Sequence, residues 1–96
     1  MSQLDRLRRM KADIYRIARK HNAERVYVFG SCARKEETPE SDIDLLVEFN
    51  NASIFDHIRL EEEMAKLLQT SVDIVSLKAL KQDSFGLQVR REMVLL

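Results

Sequence analysis

Apolar residues recur along this chain with two different periods, and the period changes mark its elements. Leu4, Leu7, Met10, Ile14 and Ile17 follow three- and four-residue spacing with Arg and Lys between them, which predicts one amphipathic helix over residues 2–21. Ser2 or Asp5 could serve its N-terminus. Residues 25–29 run arginine, Val-Tyr-Val-Phe, and stop at Gly30, as a short strand does. Residues 31–41 are polar and hold the only proline, Pro39, so they read as a loop with room for one helical turn at its start. Over residues 42–49 the pattern alternates: Ile43, Leu45, Val47 and Phe49 face one way, and Asp42, Asp44, Leu46 and Glu48 the other. Asn50-Asn51 closes that strand. A second helix is predicted over residues 53–69, with Ile54, Ile58, Met64, Leu67 and Leu68 as its inner stripe and Glu61, Glu62 and Glu63 mostly outside. Residues 71–77 read as a third strand. Residues 78–96 read as helical with a break around residues 84–86.

The order is helix, strand, loop, strand, helix, strand, helix. Strands two and three flank a helix, so a right-handed crossover can pair them in parallel, while the loop between strands one and two permits antiparallel pairing. The expected fold class is α/β (α+β): a small mixed β-sheet with helices packed on it, forming one domain over residues 1–96.

Composition narrows the setting. One cysteine, Cys32, excludes an internal disulfide and fits a reducing cytosol. No apolar run approaches the roughly 20 residues of a membrane span. The charged, amphipathic N-terminus has no signal-peptide segment, so a cytoplasmic location is expected. Net charge is zero, yet residues 1–25 hold eight Lys/Arg against three Asp/Glu, and residues 35–63 hold two against ten. The basic segment is either the solvated face of a helix or a surface for an acidic partner. The acidic middle has an electrostatic reason to gather a cation.

The candidate chemistry lies there. Gly30-Ser31 after a strand offers backbone N–H groups and a hydroxyl to phosphate oxygens, and glycine lets the backbone come close. Asp42 and Asp44 stand two apart on the next strand, about 6.6 Å along the backbone and on one face. Such carboxylates suit one Mg²⁺ or a pair of ions, and Asp73 on the third strand can close the set. Taken singly, Asp42 is equally a residue that ends the loop, and Asp44 and Asp73 are equally exposed strand residues. Arg34 could reach the outer phosphates as a charged fork, or face solvent; Lys35 is a weaker candidate for the same role.

The segments Val28-Phe29-Gly30-Ser31-Cys32-Ala33-Arg34 and Ser41-Asp42-Ile43-Asp44-Leu45-Leu46-Val47 resemble the minimal nucleotidyltransferases of the DNA polymerase beta-like superfamily. The resemblance spans about residues 25–77. It implies Mg²⁺-dependent transfer of a nucleoside monophosphate, usually AMP from ATP, with two ions in the site. Gly30 and Ser31 then match the phosphate-binding pair, Asp42 and Asp44 the metal pair, and Asp73 the third carboxylate. Lys35 departs from the pattern, where relatives usually carry glycine. Small members of the group resemble antitoxins acting on a helical HEPN-type partner, so the resemblance also implies adenylylation of such a partner, commonly on a tyrosine. The short length suggests that the partner completes the site.

Two other functions stay open at this point. One is a contact-only module that neutralises a partner. The other is a transferase acting on a small alcohol of the aminoglycoside kind, for which the sequence shows no acceptor pocket. Nucleic acid and membrane are not expected partners. Cys32 reads as a small loop residue, His21 and His57 as ordinary polar residues, and Tyr15 and Tyr27 as packing. Leu87, Val89, Val94, Leu95 and Leu96 form an apolar tail whose default role is core packing, and any exposed part would mark a docking face.

Overall fold

The computed structural model describes residues 2–36, 38 and 41–96. Its elements are α1 (Gln3–Arg9), α2 (Lys11–Lys20), β1 (Ala23–Phe29), α3 (Gly30–Arg34), β2 (Ile43–Phe49), α4 (Ile54–Leu68), β3 (Val72–Ser76), a 3₁₀ turn (Leu77–Ala79), α5 (Ser84–Glu92) and β4 (Val94–Leu95). The strands form one mixed sheet in the order β3-β2-β1-β4. β1 pairs antiparallel with β2 and with β4, and β2 pairs parallel with β3. The fold class and the pairing of the first three strands are as the sequence pattern implies.

Alternation along the strands sorts the side chains onto two faces. Val26, Val28, Ile43, Leu45 and Val47 point to the main core, where they meet Leu4, Leu7, Ile14 and Ala18 from α1 and α2 and Leu60, Met64 and Leu68 from α4. Each of the Val, Leu, Ile and Met side chains among these, once fully buried, contributes about 1.5–3 kcal/mol. On the other face Phe29 and Leu46 pack under Val89 of α5. The period of two therefore puts Asp44 and Asp73 on the α5 side, with Leu46, while their apolar neighbours fill the main core.

Local chemistry explains the ends of α4. Ser53 Oγ accepts the Asp56 N–H at 3.3 Å and the Asp56 carboxylate accepts the Ser53 N–H at 3.0 Å, a reciprocal cap. Gln69 ends the helix in the left-handed region, and Arg6 donates to the Leu68 carbonyl at 2.6 Å. His21 is buried between α2 and α4, where its ring meets the carboxylates of Glu63 and Asp56. His57 stacks on Phe49 and bonds the Ile74 carbonyl. Both histidines hold structure together.

Four expectations need correction. The first helix is broken at Met10, whose N–H reaches back to both Arg6 and Leu7 carbonyls, tightening the turn before α2 resumes. Ile54 and Ile58 are 70% and 47% exposed rather than core, and Leu60 takes the inner position with Met64 and Leu68. Gly86 lies within the first turn of α5 instead of breaking a helix: Asp83 caps its N–H at 2.8 Å, and a Cβ there would run into the Lys81 carbonyl. Finally, residues 94–95 are a strand on the free edge of β1, secured where Tyr15 Oη accepts the Val26 N–H and donates to the Leu96 carbonyl, each at 3.1 Å. Tyr15 is thus a polar tie between α2 and two strands as well as packing. Of the expected loop, α3 supplies the helical turn at its start, and residues 37, 39 and 40 lie outside the described residues.

Candidate active site

β1 ends in extended backbone at Phe29, and Gly30 then turns with φ +72° into α3. That left-handed angle suits glycine. Space requires it too, because a Cβ at Gly30 would collide with Asp44 Oδ2. The collision follows from the register, in which Phe29 pairs with Asp44. So the turn that offers backbone N–H groups lies directly against the middle carboxylate.

Asp44 pairs with Asp73 across the parallel β2–β3 ladder, so the two carboxylates are side by side on one face. Asp42 precedes β2 rather than lying on it, and is exposed, as is Asp73. Burial is the main cause holding the half-buried Asp44 carboxyl above its usual range, and the negative charges of Asp73 and then Asp42 add to it. Arg34 alone pulls the other way. The three acids therefore share one electrostatic neighbourhood with too little positive charge. They are the residues that could hold a divalent cation. Among the described residues no group of three such side chains already stands at ligand spacing. Like charges directly opposite on paired strands are destabilising.

Arg34 is not a free fork. Its Nε donates to Glu36 at 3.0 Å, and its Nη1 donates to both carboxylate oxygens of Glu92 at 2.9 Å. Ser31 and Arg34 line a hollow of about 300 Å³ with Gly30 and Asp44 on one wall and Phe85, Gln88 and Glu92 of α5 on the other. Asp42 and Asp73 flank Asp44 outside that lining. The α5 wall is what sequence reasoning missed. In sequence Glu92 is one acid beside two arginines in a helical segment, and only the packing of α5 against α3 brings it to the site.

A larger hollow, about 710 Å³, lies elsewhere, between α2 and β4. Arg8, Arg9, Lys11, Arg19 and Arg25 line it around Tyr15. It holds none of the candidate acids, so size does not identify the chemical site. Lys35 caps α3 in the left-handed region at φ 58°, which explains why a glycine would be expected at this position.

The fold around this turn is that of a known class of nucleotidyltransferase domains. Residues 12–96 match the family described as Polymerase beta, Nucleotidyltransferase, and the chain belongs to it. A candidate protein adenylyltransferase of Methanocaldococcus jannaschii is 41% identical over 68 residues, covering 70% of this chain and 73% of its own. The protein adenylyltransferase MntA of Thermococcus cleftensis is also 41% identical over 68 residues, covering 70% and 68%. A solved structure of a candidate minimal nucleotidyltransferase superposes with a TM-score of 0.84 at 40% identity, covering 100% of this chain and 97% of that one. A toxin–antitoxin crystallised with AMP-PNP matches with a TM-score of 0.69 at 25% identity, covering 88% and 69%.

Proposed function

We propose that this chain is a single minimal nucleotidyltransferase domain that moves AMP from Mg·ATP onto a tyrosine hydroxyl of a helical HEPN-type toxin, acting as its antitoxin. The observation that carries the reading is the shared position of Asp44 and Asp73, in register and one strand from the Gly30 turn. Asp42 and Asp44 would hold both Mg²⁺ ions, and Asp73 the one nearer the acceptor. When bound, the ions neutralise triphosphate charge and lower the pKa of the attacking hydroxyl.

The chain's own groups do the rest. Gly30 and Ser31 present N–H and O–H donors to phosphate oxygens, and Arg34 meets the outer phosphates. The acceptor oxygen forms a bond to the α-phosphorus while the α–β bridging P–O bond breaks. Pyrophosphate leaves with that electron pair, and the acceptor proton passes to the Asp73 carboxylate or to water beside it.

The partner reading draws on the antitoxin resemblance and on the toxin–antitoxin among the structural neighbours. Phe85 of α5 lines the cleft and is exposed, which leaves an apolar rim for a partner that brings the acceptor. The setting this reading needs is the cytoplasm, where ATP is abundant and the buried Cys32, which is in no disulfide, stays reduced. Among the described residues no helix is long and apolar enough to cross a membrane.

The test is to incubate the protein with α-phosphate-labelled ATP, Mg²⁺ and its candidate partner. Label should move onto the partner's tyrosine, and the Asp42→Asn, Asp44→Asn double variant should stop it. Transfer that persists in a folded double variant would discard this site. A double variant that transfers nothing yet still silences the partner would favour neutralisation by contact.

A further inference from the structure

The groups best placed to bind phosphate are already bound, to an acid of the same chain. Glu92 is the last residue of α5, and its side chain is only 17% exposed. Both its oxygens accept from Arg34 Nη1 at 2.9 Å, and Oε1 also accepts from Gln88 Nε2 at 2.9 Å. The Gly30 N–H faces it as well, and these donors hold its carboxyl below the usual range. Three donors converging on one carboxylate is how a protein holds an anionic group. The position itself is unfavourable for an acid. A helix C-terminus carries partial negative charge and prefers cations, as the neighbouring Arg90 and Arg91 show.

We propose that Glu92 is an internal anion that occupies part of the phosphate cradle and must be displaced by the incoming triphosphate. This rests on the nucleotide reading of the same cleft. The consequence is selectivity by charge. A ligand gains Arg34 and the Gly30 N–H only by outcompeting a carboxylate already held there, which a triphosphate with its cation does and an uncharged nucleoside has no means to do. The closed arrangement lowers apparent affinity by the fraction of molecules in which it is shut. The same return of Glu92 to Arg34 assists the departure of pyrophosphate.

The experiment is calorimetric titration of the full chain with Mg²⁺ and α,β-methylene-ATP, whose α–β bond resists cleavage. The expected result is that Glu92→Gln binds roughly two- to fivefold more tightly than the native chain, the upper part of the range a partly exposed charged pair can supply. Adenosine should bind both proteins alike. Gln88→Leu removes one of the bonds to Glu92 and should tighten nucleotide binding by a smaller factor, which keeps the test alive if Glu92→Gln fails to fold by circular dichroism. Nucleotide binding that is unchanged or weaker in these variants, with the native chain still binding, overturns the displacement model and leaves the nucleotide site standing. No binding by any of the proteins overturns the nucleotide reading and this inference with it.

Discussion

Replacing Asp44 by Asn should make the protein more stable while stopping transfer. Asp44 is half-buried, faces Asp73 on the next strand, and follows Asp42 by two residues, with only Arg34 as counter-charge. At partly exposed sites a charge–charge contact is worth about 0.2–1 kcal/mol. Two repulsive contacts, partly offset by Arg34, leave a net gain of about 0.5–1 kcal/mol when the charge is removed. For a domain of this size each kcal/mol moves the midpoint by about 4–8 °C, so Asp44→Asn should raise Tm by about 2–8 °C. The assay is thermal unfolding followed by circular dichroism, in EDTA at neutral pH and low salt. High salt should shrink the difference. Adding Mg²⁺ with α,β-methylene-ATP should then stabilise the native chain and leave the variant nearly unmoved. A variant that melts below the native chain in EDTA would refute the reasoning, because it would mean that Asp44 is a satisfied structural acid.

The other predictions concern the turn, the core and pH. Gly30→Ala should abolish transfer and cost about 1–2 kcal/mol from the left-handed backbone alone, before the collision with Asp44; label transfer and urea unfolding measure the two effects. Lys35→Gly should stabilise by about 1 kcal/mol, read as a higher urea midpoint, since it relieves a left-handed residue without altering the acids. Leu60→Ala should cost about 2–5 kcal/mol on the same measurement, because Leu60 is fully buried against the sheet. Stability should fall as pH drops below the ordinary glutamate range of about 4.3. Glu63 is held low first by Lys20 and then by His21, so its contribution is present above that range and lost as it protonates. Asp44 has the opposite sign: its raised pKa withholds stability at neutral pH and returns it on acidification. The Asp44→Asn variant should therefore lose more stability than the native chain between pH 7 and pH 3 in a series of thermal melts.

The parts of the fold that were legible are those encoded by near neighbours. The alternation from Ile43 to Phe49, the start of α4 at Ser53, and the Gly30 stop all act over a few residues and read directly from sequence. The same alternation puts Asp44 on the face opposite Ile43 and Leu45, where the parallel register sets it beside Asp73. What was not legible depends on distant contacts. Leu4, Leu7 and Ile14 keep helical spacing straight through the break at Met10, so periodicity cannot reveal it. Ile54 and Ile58 also fall at helical spacing, and only the packing of α4 shows that Leu60, Met64 and Leu68 are the side chains covered. Val94 and Leu95 become a strand because β1 has a free edge. Glu92 joins the cleft by the packing of α5 against α3, across 58 residues of chain from Arg34.

The central claim is that Asp42, Asp44 and Asp73 jointly hold divalent cations beside the Gly30 turn. The most direct measurement is a crystal structure of the chain soaked with Mn²⁺ and α,β-methylene-ATP, with the metal located by its anomalous scattering. The account predicts metal density touching all three carboxylates, with the triphosphate running past Gly30 and Ser31. Nucleotide bound in the crystal with its metal elsewhere, or with the three side chains turned to separate surfaces, would contradict it.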